Sequence, residues 1–569
     1  MVMTTPLWFI TGALGLYFSY RIYRRLQLSV AKHPGLAGHA KMSRLAARWL
    51  PYFSVPEEDI FSCDGAEEEL AEKRREAFFG LAERLGRMTG ASCDEAERLE
   101  AGVSDLQFTN TYRVPFQFAR WVKQHMPSPS FVTSSEGVRL TDTDGNETFD
   151  VMGSYGVNVF GYDFYKACMR DAMARVDSLG PVLGPYHPCI VDNVERLQKI
   201  SGLDEVSFHM SGTEAVMQAV RLARYHTRHP KLVTFSGAYH GWWDGVQPGV
   251  GNPRKVDDVL MLRDMDERSL RVLRTRRDIA CVLINPLQIM HPNQNAPGDS
   301  MLISNGRRAS VDRKRYTEWL QKLREVCDQN GVVMIMDEVF LGFRVAFGGA
   351  QEYFNVQADM VTYGKTLGGG LPVGVVCGRS NLMRRFRPER PADICFARGT
   401  FNSHPLVMAA MNEFLKRLDN ESLRAQYATL DEVWGQRASE VNCRLREAGI
   451  PISVVNLCSV WTVLYDQPGR YHWMYQFYLR DQGLTLGWIG SGRFIFSHNY
   501  DADTFREVAD RIVAAGQAMR NDGWWLPADT LTNTDIRIRM ARELSQSLMF
   551  PRRSTAMCDF DAKAESQRG

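Results

Sequence analysis

The 569-residue chain has no CxxC pair and no cysteine and histidine cluster at zinc-ligand spacing, and its eleven cysteines are an odd number. Neither a disulfide framework nor a structural metal is expected, and a reducing compartment is the simplest setting. Charge of one sign is not in excess. Lys and Arg number 68 against 66 Asp and Glu, leaving +2 and no case for a nucleic-acid partner, which would want a concentrated basic face. There is no internal repeat and no long low-complexity tract. The N-terminal apolar run, Pro6 to Tyr20, is uncharged over only 15 residues. That is short of the roughly 20 that one membrane-spanning helix needs, although Ile22 and Tyr23 can extend it if Arg21 snorkels.

With 44% apolar and 24% charged residues the chain reads as globular, and its length exceeds one ordinary hydrophobic core, so two or three domains are expected. Arg21, Arg24 and Arg25 follow the apolar run. They predict an N-terminal membrane attachment with the remaining chain in the cytoplasm, and a cleaved signal peptide does not fit because the charge lies on the wrong side. KMSRLAARWLPYF (41 to 53) places Met42, Leu45, Trp49 and Leu50 on one helical face and Lys41, Arg44 and Arg48 on another. An interfacial helix and a helix packed on its own protein both satisfy that pattern.

EEELAEKRREAFFGLAERLGRM reads as a helical extension carrying Leu70, Phe78, Leu81 and Leu85. VRLTDTDGNETFDV (138 to 151) reads as a hairpin turning at Asp144, Gly145 and Asn146. KLVTFSG (231 to 237), IACVLINP (279 to 286), VVMIMDEV (332 to 339) and DMVTYGK (359 to 365) are short buried strands. SVDRKRYTEWLQKLREVCDQNG (310 to 331) is a helix ending at glycine. Strands alternating with helices imply an α/β fold with a mostly parallel sheet covered on both faces, where ligands gather at the carboxyl ends of strands. The expected division is an anchor over 1–30, a helical extension over 31–115, part of a small domain over 116–160, a large domain over 161–398, the rest of the small domain over 399–525 and a basic tail over 526–569.

The strongest chemical signals fall at those strand ends. Ser211, Gly212 and Thr213 precede a helix, where free N–H groups, two hydroxyls and the positive helix end make a phosphate cradle, or else a plain helix cap. Tyr239 and His240 lie between glycines directly after a strand, either open to a flat ligand or buried as loop aromatics. Asp337 and Glu338 end an apolar strand, and an acid there must find a cation or donors. A protonated heterocycle nitrogen satisfies it. Lys365 follows the next strand in VTYGKTLGGGLPVG. Parallel neighbours joined by one crossover bring their ends within reach of one ligand, and a partly desolvated amine loses pKa and can form a Schiff base. Phosphate cradle, stacking aromatic, carboxylate and amine together describe a site for pyridoxal 5′-phosphate.

SGTEA, GAYHG, MDEVFLGFR, VTYGKTLGGGLPVG and GTFNSHP occur in an order that resembles the class III aminotransferases of fold type I. Over about residues 125 to 515 the chain is most similar to the glutamate-1-semialdehyde aminomutases, and from SDLQFTNTYRVPFQF onward also to aminotransferase modules of prodigiosin-type secondary metabolism. The resemblance implies that Lys365 carries the cofactor, Asp337 pairs with its ring nitrogen, and Tyr239 and Val339 cover its two faces. It also implies that Gly212 and Thr213 hold the phosphate, that Thr400 reaches the phosphate of a neighbouring subunit, and that the enzyme is a homodimer with shared sites. An amino donor and a carbonyl acceptor would be its small-molecule partners.

The chain departs from that family in two places. Asn285-Pro286 stands where Glu-Pro is common, and GWIGSGRFIFSHN (487 to 499) has no acid where the aminomutase places a substrate-recognising glutamate. Arg120 falls near the family's substrate-carboxylate arginine, with a surface arginine as the alternative. A hydrophobic N-terminus is superfluous for a soluble aminomutase and useful to a transaminase of fatty aldehydes or ketones. Transamination is therefore the leading expectation. Aminomutation on the same scaffold is the alternative, and an idle membrane-tethered binding protein is the reading from another class.

Overall fold

A computed structural model describes residues 5–100, 102–254 and 256–549. The distal half of the expected basic tail, 550–569, lies outside the described residues, as do residues 1–4 of the expected anchor.

The four strands expected from the sequence form the middle of a seven-stranded sheet. Its order is Glu205–His209, Gly374–Gly378, Met360–Gly364, Val333–Asp337, Ile279–Ile284, Lys231–Phe235 and Val259–Leu262. Only the Gly374–Gly378 strand runs antiparallel to its neighbours. Every residue of the Ile279–Ile284, Val333–Asp337 and Met360–Gly364 strands is buried, as a parallel sheet covered on both faces demands. The helix over 310–331 spans Arg313–Asn330. Asp312 caps its start by accepting from the Arg315 N–H, and Gly331 ends it at φ 64°.

The predicted hairpin pairs Arg139–Asp142 with Glu147–Asp150, and Gly145 takes the turn at φ 84°. These strands belong to a four-stranded sheet that Leu484–Thr485 joins from far along the chain. A three-stranded sheet, Ile452–Leu457, Val460–Tyr465 and Phe494–Ile495, lies with the long Glu421–Glu447 helix. Trp434, Trp461, Phe496 and Phe505 form an aromatic cluster in its core, edge-to-face except for the stacked Trp434 and Phe496.

The N-terminal extension packs against the C-terminal part of the chain. In the Glu68–Met88 helix Phe78, Leu81 and Leu85 are buried, and Phe61 meets Phe78 and Trp121 edge-to-face. Arg74 is fully buried there. It pairs with Asp64 at 2.9 Å and donates to the carbonyls of Phe61 and Gly523. Tyr471 ties the extension down from the other side by donating to the Ile60 carbonyl at 2.7 Å.

The first helix spans Thr5–Ala31, and no described helix is long and apolar enough to cross a membrane. The apolar run is interrupted by glycine, serine and tyrosine before Arg21 arrives. The C-terminal end of the helix docks on the protein, where Ala31 is buried and Gln27 accepts from the Thr275 hydroxyl. The Ala40–Trp49 helix leaves its apolar face uncovered, with Trp49 79% exposed, while Arg44 binds the Asn252 carbonyl.

Candidate active site

Asp337 is the last residue of its strand and lies opposite Thr362 of the parallel neighbour. Three residues beyond Thr362 the next strand has ended and Lys365 begins a short 3-10 turn. The register therefore brings acid and amine to one sheet edge, as two adjacent parallel strands should. Both side chains line a cavity of about 580 Å³, together with Ser211, Gly212, Thr213, Tyr239, His240 and Val339. Thr400 lies outside this cavity, exposed in the loop before the Pro405–Leu418 helix.

The Asp337 carboxylate is 5% exposed and its oxygens are held in place. Oδ2 accepts from His240 Nδ1 at 2.8 Å, and Oδ1 accepts from the Val339 N–H and the Thr362 hydroxyl, each at 3.2 Å. His240 is thus a support for the acid. Its other ring nitrogen, Nε2, is buried with no protein partner. Glu338 takes the opposite direction, as alternation along a strand requires. It accepts from the N–H groups of Ala350 and Gln351 at 2.6 and 3.0 Å, and burial pushes its pKa up to about 8.

Lys365 sits at φ 49°, a left-handed conformation costly for any residue with a side chain. Its Nζ donates to the Tyr155 carbonyl at 2.7 Å, and Tyr155 with Ser154 is also left-handed, at φ 56° and 45°. Such strain gathers where geometry serves function. Burial, assisted by Arg344 and Arg493 and opposed by Asp337, lowers the Lys365 pKa to about 8.

Ser211 is a helix cap, accepting from the Glu214 N–H at 3.2 Å while lining the cavity. The neighbouring glycine is dictated by space. A Cβ on Gly212 would lie 2.7 Å from Val339 Cγ1, so only a bare backbone leaves Val339 in its position against the cavity. Tyr239 and Trp242 stand at the mouth, 57% and 76% exposed. Asn285, at the site of the Glu-Pro departure, donates to the Tyr239 carbonyl at 2.8 Å and so fixes that loop.

The sequence reading overlooked three cations. Arg493, in GSGRFIFSHN, lines the cavity and is 9% exposed. It faces His291 Nε2 at 3.2 Å and forms no ion pair among the described residues. Burial and Arg493 hold the His291 pKa down at about 3, so the imidazole is neutral and an acceptor. Arg113 and Arg480 lie near Tyr155, burial lowers their pKa to about 10 and about 9, and they too are without ion-pair partners among the described residues. Segment 487 to 499 holds no acid, and its functional signal is the arginine itself. Arg120 is exposed on the Phe116–His125 helix and does not line the cavity.

Asp337 and Lys365 at adjacent strand ends, with Gly212 at a helix N-terminus in the same cavity wall, define a fold type I enzyme site for pyridoxal phosphate. The chain belongs to the class III aminotransferases: the aminotransferase class-III family model matches residues 120–246 and 313–448. Glutamate-1-semialdehyde 2,1-aminomutase of Methanococcus vannielii is 31% identical over 363 residues, spanning 61% of this chain and 78% of that protein. A transaminase solved with pyridoxal phosphate bound is 30% identical, with 70% of this chain and 92% of that one covered at TM-score 0.58. An omega-transaminase from Sphaerobacter thermophilus is 26% identical, with 77% and 99% covered at TM-score 0.62.

The residues present fit the family's cofactor. Gly212 leaves the space that a side chain would fill, the buried His240 Nε2 lacks a protein partner, and Asp337 is an oriented acceptor beside a depressed lysine.

Proposed function

We propose that the chain is an aminotransferase moving an amino group from a carboxylate-bearing donor to a hydrophobic aldehyde or ketone, working at a membrane surface as a homodimer. When bound, pyridoxal phosphate supplies the carbonyl that takes up the amino group and the ring that accepts electron density. Lys365 would hold it until an incoming substrate amine displaces Nζ, and the freed Nζ would then take a proton from the substrate carbon and return it. Asp337, fixed by His240, Thr362 and the Val339 N–H, is the acceptor for a protonated ring nitrogen. Gly212 and Thr213 offer the phosphate a helix N-terminus.

The observation that carries the donor is Arg493. A buried guanidinium in the cavity wall, lacking a carboxylate from the protein, costs free energy unless a ligand supplies one. Asn285 contributes no charge to oppose it. Leu287, Phe340, Leu371 and Pro372 in the same wall suit an apolar acceptor. Two observations support a homodimer: Thr400 is exposed outside the cavity of its own chain, and Tyr239 and Trp242 leave the mouth open for a second copy to cover.

Aminomutation is the second reading, favoured by the name of the Methanococcus vannielii relative. Its mark would be internal amine migration in glutamate-1-semialdehyde with no second substrate. Product analysis separates the two. Purified enzyme given an amino-acid donor and a medium-chain aldehyde should release one keto acid per amine formed, and activity confined to glutamate-1-semialdehyde would overturn the proposal.

A further inference from the structure

The first helix presents a surface that the active site does not explain. Leu14, Leu16, Phe18, Tyr20, Ile22 and Tyr23 are each between 49% and 75% exposed, so the apolar turns project on all sides without protein cover. A helix apolar all round is stable only when something apolar surrounds it. Where this helix reaches the body of the protein, a groove of about 740 Å³ opens between it and the segment Thr275 to Asp278. Phe18 and Ile22 line one part of the groove, and Arg21, Arg25, Arg276 and Arg277 line another.

The groove is electrostatically unbalanced. Its single acid, Asp278, is already paired with Arg276 at 2.8 Å. Arg24 is occupied by the Tyr20 hydroxyl and the Thr275 carbonyl, which pins the helix in place. Among the described residues Arg277 donates to the neutral Asn330 amide oxygen, and Arg21 meets Tyr17 through its hydroxyl and ring, so neither has an ion-pair partner there. Arg25 is exposed and has no hydrogen-bond or ion-pair partner among the described residues. Arginines at the base of an apolar helix match an anionic phosphate beside hydrocarbon, the boundary that an anionic bilayer presents. A protein partner would have to supply an acidic rim and an apolar socket together.

We propose that this groove takes the phosphate headgroup of an anionic phospholipid, with the turns before Arg21 entering the acyl boundary without crossing the bilayer. This deepens the membrane reading above and rests on it. The site lies at the base of the first helix, and its ligand is a lipid in a bilayer.

The test uses the purified full-length holoenzyme and vesicles of phosphatidylcholine alone or with phosphatidylglycerol. The expected result is cosedimentation that needs phosphatidylglycerol and weakens as sodium chloride rises. The variant R25Q/R277Q should bind about 25-fold more weakly, about fivefold for each of the two charges lost, with unchanged turnover of water-soluble substrates. F18D should lose binding to the same vesicles. Equal binding to both vesicle types, or unchanged binding by R25Q/R277Q, would overturn the proposal. So would displacement by inorganic phosphate beyond that of sodium chloride at equal ionic strength, which would assign the groove to a soluble phosphate. A change of oligomeric state in F18D with vesicle binding intact would assign the helix to a second copy instead. The substrate reading is separately decided: vesicle binding without aldehyde amination keeps the groove and removes the acceptor.

Discussion

Lys365 Nζ donates at 2.7 Å to the backbone carbonyl of Tyr155, 210 positions earlier in the chain, and both residues hold left-handed backbone angles. The amine is thereby kept in the cavity, beneath Phe340, whose ring centroid lies 5.5 Å away. Burial and two arginines disfavour its charged form, with Asp337 alone pulling the other way.

The first prediction concerns pH. With its pKa lowered to about 8, Lys365 becomes largely neutral above that pH, while an unperturbed lysine stays charged to about 10.5. The neutral amine is the nucleophile, so the rate at which cofactor-free protein takes up pyridoxal phosphate should rise through about pH 8 and then level. The check is stopped-flow absorbance across pH 6.5 to 9.5. A rate still climbing tenfold per unit at the top of that range would show an ordinary lysine.

A second prediction isolates Arg493. Replacing it by Gln removes a buried charged contact, a loss of about 1.5–3 kcal/mol. KM for a carboxylate-bearing amino donor should therefore rise about 10- to 100-fold. A simple alkylamine donor, which has no carboxylate to lose, should change little. Equal losses with both donors would remove Arg493 from donor recognition.

Gly212 gives a third. Alanine there sets its Cβ 2.7 Å from Val339 Cγ1 and drives that side chain toward the cofactor's space. Overpacking of this kind costs roughly 1–3 kcal/mol. G212A should retain its fold and release pyridoxal phosphate on dialysis at concentrations where the parent keeps it. Tight retention by G212A would mean that Val339 does not bound the ring.

Much of this site was legible because its parts end strands of one parallel sheet. Asp337 and Lys365 needed only the two apolar runs before them and the rule that adjacent parallel strands finish side by side. Ser211 was legible as a cap, and the structure shows the cap. Tyr155 could not be found in this way, since its contact is a backbone carbonyl placed by a left-handed kink, and no side-chain pattern marks it. Arg493 and His291 come from loops whose path depends on the small sheets. An isolated arginine is a common surface residue, so position, not type, carries its meaning. Absence of charge alone does not mark a spanning helix, since the glycines, serine and tyrosines of the N-terminal run lower its hydropathy.

The role of the N-terminal extension is open to a stability measurement. Arg74 is wholly buried, paired with Asp64 and bonded to carbonyls at positions 61 and 523, so it joins both ends of the chain. Removing one member of a buried pair costs about 3–5 kcal/mol. R74A should lower the unfolding temperature and open residues 56–100 to protease, with the Lys365 site still able to take up cofactor. Unchanged protease resistance would show that the pair does not hold the extension.

The central claim is that Lys365 is the amine that grips pyridoxal phosphate. Borohydride reduction of the loaded protein, followed by peptide mass mapping, reads it directly. The account predicts the reduced cofactor mass on the peptide containing Lys365 and its disappearance in K365A. A cofactor mass on another lysine of the parent protein, or one persisting in K365A, would contradict it.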